Sequence, residues 1–146
     1  MSTSAVVFVK NEKGTYTGNE IVNDGYIDIS DARGRCQCFG AGYFLGRYWN
    51  DREDVKKLVN SNAVRNLGES IEGTEFYDWK QPGLDNLTMK DIKSLGYNYI
   101  YIFNQDDEWM VMNTYYDRTA NMFFHLNSFL DYEDPERFYD HETFWE

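Results

Sequence analysis

The chain predicts an α+β fold in a single domain of 146 residues. Three observations carry that expectation. Strand–turn–strand patterns flank a helical middle, so strands do not alternate one-for-one with helices as a doubly wound fold requires. The length suits one hydrophobic core. Hydrophobic residues make up 42% of the chain and aromatic ones 18%. An aromatic share that high fills much of a core with ring packed on ring.

The elements follow in order. Residues 5–10 (AVVFVK) are β-branched and apolar and read as a strand. Asn11-Glu12-Lys13-Gly14 makes a turn, and residues 15–22 alternate into a second strand, giving a hairpin. Asn23-Asp24-Gly25 is a turn signal. Residues 27–38 show no clear period and read as an irregular segment or a short added hairpin. Residues 40–49 are apolar and aromatic and predict a first helix. Asn50 or Asp51 caps a second, with Glu53 or Asp54 in its first turn and Val55, Leu58 and Val59 as its apolar stripe. Ala63, Val64 and Leu67 extend that helix through residues 60–67, and Gly68 stops it. Residues 74–79 (TEFYDW) read as a strand, and 80–86 as a loop around Pro82-Gly83.

Thr88 with Asp91 is a capping-box-like start for a short helix ending at Leu95-Gly96. Residues 97–103 (YNYIYIF) are the clearest strand. An acidic turn at 104–108 leads into 109–113 (WMVMN), which pairs back as a second hairpin. Residues 120–130 fit a helix by Met122, Phe123, Leu126 and Leu130, and a strand by their aromatics. Pro135 opens a last helix. The expected architecture is a mainly antiparallel sheet, two hairpins plus a further strand, with three to four helices packed on one face.

The formal net charge is -11, and it is unevenly placed. Residues 1–50 hold five bases and five acids, and residues 51–100 hold seven bases and nine acids. Residues 101–146 hold two bases and eleven acids. A field of that sign repels nucleic acid and anionic membrane and attracts basic surfaces. Among the acids of this last stretch stand Phe123, Phe124, Phe129, Tyr132, Phe138, Tyr139, Phe144 and Trp145. Disordered acidic tails are poor in aromatics, so this region is expected to be folded, its acids held in place. The apolar runs fall far short of the ~20 residues of a membrane span. The start, Met-Ser-Thr-Ser before an apolar 5–9, lacks the basic segment and long core of a signal peptide. The expectation is a cytoplasmic protein.

Chemistry-bearing motifs are sparse. Cys36 and Cys38 stand one residue apart, too close for an unstrained disulfide. His125 and His141 have no local ligand spacing, so no metal and no cofactor is expected. Nothing places Ser128, Cys36 or Cys38 beside either histidine, as a hydrolytic triad requires. Carboxylate pairs such as glycosidases use arise by chance in so acidic a stretch. Gly40, Gly42 and Gly46 imitate a nucleotide fingerprint, but the third glycine follows a gap of three residues and no strand precedes. A non-enzymatic protein is expected.

Several segments carry a family resemblance. They are Asp24-Gly25-Tyr26, Gly40-Ala41-Gly42, residues 48–55 (YWNDREDV) and Leu67-Gly68-Glu69. Together they resemble a "DGYP…GVG…DREKV…SLGE" pattern of an uncharacterised family of small phage and prophage proteins. Residues 97–103 and 109–111 are similar to the terminal hairpin of that family. Ile27 stands where the family has proline, residues 29–39 look like an insertion, and the acidic end after Tyr116 goes beyond the pattern. The resemblance implies a phage setting, host cytoplasm and an α+β domain, and no activity.

Charge and setting together give the expected function. The protein binds and inhibits a basic, nucleic-acid-binding host or defence protein through an acidic surface, in the manner of an anti-CRISPR, an anti-restriction protein or a DNA mimic. It does so without binding nucleic acid or membrane itself. Asp106, Asp107 and Glu108 on a hairpin tip supply part of that surface. Asp131, Glu133, Asp134, Glu136, Asp140 and Glu142 supply the rest, and Phe138, Tyr139 and Trp145 add apolar anchors. The alternative is a small-molecule or nucleotide-sequestering module. Its pocket would be lined by Tyr43, Tyr48, Trp49 and Trp79, with Arg33, Arg35, Arg47 or Arg52 converging on it.

Overall fold

In the computed structural model the first strand, β1 (Ala5–Lys10), lies at the centre of the sheet, with every residue from Ala5 to Val9 buried. A strand apolar at every position cannot leave either face to water, which is why it takes the middle. The structure describes residues 4–25, 27, 29, 30, 37, 38, 40–113 and 123–126. Among them, β1 is followed by β2 (Tyr16–Ile21), β3 (Ile29–Ser30), β4 (Gln37–Cys38), α1 (Ala41–Tyr48), α2 (Arg52–Val59), β5 (Val64–Asn66) and β6 (Glu75–Phe76). Then come α3 (Met89–Lys93), β7 (Tyr99–Phe103), β8 (Trp109–Asn113) and β9 (Phe124–His125).

The main sheet has the order β6-β5-β2-β1-β7-β8-β9. Its pairings are mostly antiparallel: β1 with β2, β5 with β6, β7 with β8 and β8 with β9. Two are parallel, β1 with β7 and β2 with β5. The α+β single-domain reading is therefore correct, and both expected hairpins are present. Within residues 27–38, Ile29–Ser30 and Gln37–Cys38 pair antiparallel as β3 and β4, a separate two-stranded sheet.

The helices are not confined to one face. Ala5, Val7 and Val9 share a face with Ile21, Tyr101, Phe103, Trp109 and Val111, and there they meet Leu45 of α1 and Val55, Leu58 and Val59 of α2. Val6, Phe8, Ile100, Ile102 and Met112 form the other face, covered by Leu84 and by Ile92 of α3. The physical reason is again the unbroken apolar run of β1 and β7, which needs cover on both sides. Asn19 sits fully buried on the first face. Its amide donates to Leu58 O at 3.0 Å and Asn62 O at 2.8 Å, so it fixes the end of α2 against β2.

The expected helical extension through residues 60–67 is wrong. α2 stops at Val59, with Asn60 as its C-cap. The Asn60 amide turns back onto Lys56 O at 2.8 Å and the Ser61 hydroxyl onto Lys57 O at 2.7 Å. Such side chains offer the backbone a local alternative to helix. Val64 then pairs with Ile21, and Ala63 exchanges backbone bonds with residues 77 and 79. Gly68 has a different task from stopping a helix, because a Cβ there would lie 2.2 Å from Gly73 O. The helix expected after Pro135, and all of 120–130 except 123–126, lie outside the described residues.

Candidate functional site

The turn between β7 and β8 carries Asp106, Asp107 and Glu108, all exposed. Asn104 builds it. Its side-chain oxygen accepts the N–H of Asp106 at 2.9 Å and of Glu108 at 3.0 Å, while its own N–H donates to Glu108 O at 3.0 Å. Asp107 takes a left-handed backbone, φ 59°, a conformation that Asp tolerates better than most residues. The acids thus project from a turn fixed by its own asparagine.

Arg52, the first residue of α2, clasps this turn. Its Nε donates to Asp107 Oδ1 at 2.8 Å, and Nη2 lies 2.7 Å from the same oxygen. Nη1 donates to Lys10 O at 3.3 Å and Nη2 to Asn104 O. The guanidinium also lies over the Phe103 ring, 5.0 Å from its centre. A planar five-donor group is suited to holding three chain segments at once. The Lys10 ammonium adds a bond to Gln105 Oε1 at 3.1 Å. Asp51, Glu53 and Asp54 at the start of α2 are exposed. The Asp51 carboxylate makes no cap hydrogen bond, so it is not engaged by its own helix.

The three predicted tip residues differ in what they touch. Asp107 is held by Arg52, and Glu108 lies 3.5 Å from His125 Nδ1 on β9. The Asp106 carboxylate has no side-chain partner among the described residues. β9 runs antiparallel to β8, His125 opposite Met110 and Phe124 opposite Val111. It therefore heads toward the acidic turn, and the buried Leu126 comes level with Trp109. The chain thus leaves residue 126 at the acidic end of the sheet. Asp131, Glu133, Asp134, Glu136, Phe138, Tyr139, Asp140, Glu142 and Trp145 lie outside the described residues.

Sequence reasoning missed the part played by Arg52. Asp51, Glu53 and Asp54 read only as helix-start signals, and no local pattern says that this helix begins beside a turn some fifty residues on.

The rings expected to line a pocket stand in different settings. Trp49 is 1% exposed, inside the core. Its indole N–H donates to Gly68 O at 2.9 Å, and its carbonyl accepts the Trp109 indole at 2.8 Å. Tyr43 meets Phe44 and Tyr48 edge-on along α1, with centroids 5.7 and 6.4 Å apart. Trp79 stacks on Tyr77 at 5.3 Å. Arg47 lies over Tyr48, while Arg33 and Arg35 fall outside the described residues.

One further pair of groups is electrostatically unusual. Burial raises the Glu20 carboxyl above its ordinary value, against the opposing hydrogen bond from Tyr97. The Tyr97 hydroxyl is pushed up to about 12, first by burial and then by the neighbouring Glu20 charge. Among the described residues no helix is long and apolar enough to cross a membrane. No family model, curated protein or solved structure matches the chain.

Proposed function

We propose that this protein binds a basic protein surface through the end of the sheet that carries Asp106, Asp107 and Glu108. The single observation behind the proposal is the register of β9 on β8, which delivers the chain at Leu126 to the acidic turn just before its most acidic stretch. Arg52 at the start of α2 holds the turn in place. Acids presented from a fixed turn suit a partner that ordinarily receives the regular charges of nucleic acid, spaced ~1.7 Å along a duplex axis. The natural target class is therefore a nucleic-acid-binding host or defence protein, and inhibition is by occupation of its basic surface. Steering by the field speeds encounter and weakens with salt. A phage setting is proposed from the resemblance of residues 24–26, 40–42, 48–55 and 67–69 to a phage family.

The test reverses charge without touching the clasp. Asp106→Lys combined with Asp131→Lys, Glu133→Lys, Asp134→Lys and Glu136→Lys should abolish capture of the partner from a bacterial lysate. The melting temperature should stay within about 3 °C of the original, as the proposed surface role of these acids requires. Equal capture by both chains would sink the proposal.

A further inference from the structure

Beside the acidic turn lies a cleft of about 880 Å³ with the opposite charge. It opens between the β1–β2 turn and one side of α2, and its cations are Lys10, Lys13, Arg52 and Lys56. Glu12 is the one carboxylate in its lining. Ten Lys and Arg stand among the described residues, so four on one cleft is a concentration the composition does not supply. Like charges brought together repel. The Lys13 side chain is exposed and has no partner among the described residues. Among the described residues Lys10 meets a neutral amide oxygen at 3.1 Å and the Tyr16 ring at 5.9 Å, and no carboxylate. Lys56 has one distant carboxylate, Glu53, at 3.6 Å.

The frame around these cations is ordered. Arg52 and Lys56 are one turn apart and share a helix face toward the cleft. The Asn11 amide donates to the hydroxyls of Thr15 at 3.2 Å and Thr17 at 3.0 Å. The Thr15 hydroxyl donates to Asn86 Oδ1 at 3.4 Å, which ties the turn to the loop beyond β6. The Asn11 backbone N–H donates to Thr15 O at 2.7 Å, and Gly14 takes a positive φ of 90° to close the turn. The cations come from β1, its turn and α2, three places around the cleft, which suits a ligand carrying negative charge at more than one position. We infer that this cleft binds a small molecule bearing two or more phosphate groups. Lysines serve as point-charge phosphate ligands, and Arg52 already has its Asp107 partner. This site adjoins the acidic surface proposed above, with Arg52 and Gln105 at their border, and does not rest on it.

The probe is inorganic pyrophosphate, titrated into the full chain by calorimetry at low ionic strength, with backbone amide shifts followed by NMR. Shifts should concentrate at residues 10–15 and 52–56. Lys13→Ala combined with Lys56→Ala should weaken binding about tenfold or more, the loss of roughly one good charged contact. Lys90→Ala combined with Lys93→Ala on α3 removes the same charge elsewhere and should change affinity less than about twofold. Absence of binding, shifts away from the cleft, or equal losses in both variants would overturn the inference. The chain reversed at Asp106, Asp131, Glu133, Asp134 and Glu136 should still bind pyrophosphate, so the two proposals fail separately.

Discussion

Asn19 and Glu20 are neighbours on β2 and, as alternation requires, serve opposite faces. The Asn19 amide is fully buried and holds two carbonyls at the end of α2. Asn19→Ala should cost about 2–3 kcal/mol in denaturant unfolding, because it strips partners from buried acceptors. Nothing in the alternation of residues 15–22 marks Asn19 as an interior residue, since polar types are ordinarily exposed. Glu20 works the other way. Its folded carboxyl holds a proton more tightly than the unfolded one, because burial disfavours the charge. The stability it contributes is full below the ordinary value of 4.5 and is lost as pH rises through the raised folded value. Glu20→Gln should therefore melt higher than the original chain at pH 7, by on the order of 1 °C, since solvent still reaches this group. The difference should close when melting is repeated below the ordinary carboxyl value. A gap that is constant with pH would contradict the assignment.

Between elements, the decisive contact is α2 against the β7–β8 turn. Both elements are legible locally. Val55, Leu58 and Val59 mark the helix, and the alternation of 97–103 and 109–113 marks the hairpin. The capping box of Thr88 and Asp91 is equally plain, and the Asp91 carboxyl is held low by the Thr88 backbone N–H it accepts. The clasp is not legible, because it joins Arg52 to Asp107 across 55 residues. The end of α2 is misread for a related reason. Ala63, Val64 and Leu67 keep helical spacing, but the side chains of Asn60 and Ser61 close on the preceding turn and release Val64 to the sheet. A double-mutant cycle of Arg52→Ala and Asp107→Ala should give a coupling of roughly 0.5–1 kcal/mol, as for exposed pairs, and should shrink in high salt. Arg52→Lys should recover only part of it, since an ammonium cannot fork across Asp107, Lys10 O and Asn104 O together.

For the whole molecule, the fold class follows from hairpins around a helical middle, but the sheet order does not. The parallel pairing of β1 with β7 joins segments nearly a hundred residues apart and leaves no local trace. Once made, it sets the remaining geometry. β7 brings β8 beside it, β8 brings β9, and the chain is carried to the acidic end of the sheet before the stretch of greatest charge. The sequence displays the acidity of residues 101–146, while only the fold sets Arg52, at the start of α2, against the turn of Asp106, Asp107 and Glu108. The most direct test of the acidic end is competition. The full chain is immobilised, loaded from a bacterial lysate, and washed with duplex DNA or with about 0.5 M salt, where screening reaches within a few ångströms. The expected result is capture of a basic, nucleic-acid-binding protein that both washes release. Capture of an acidic protein, or retention of the partner through both washes, would contradict it.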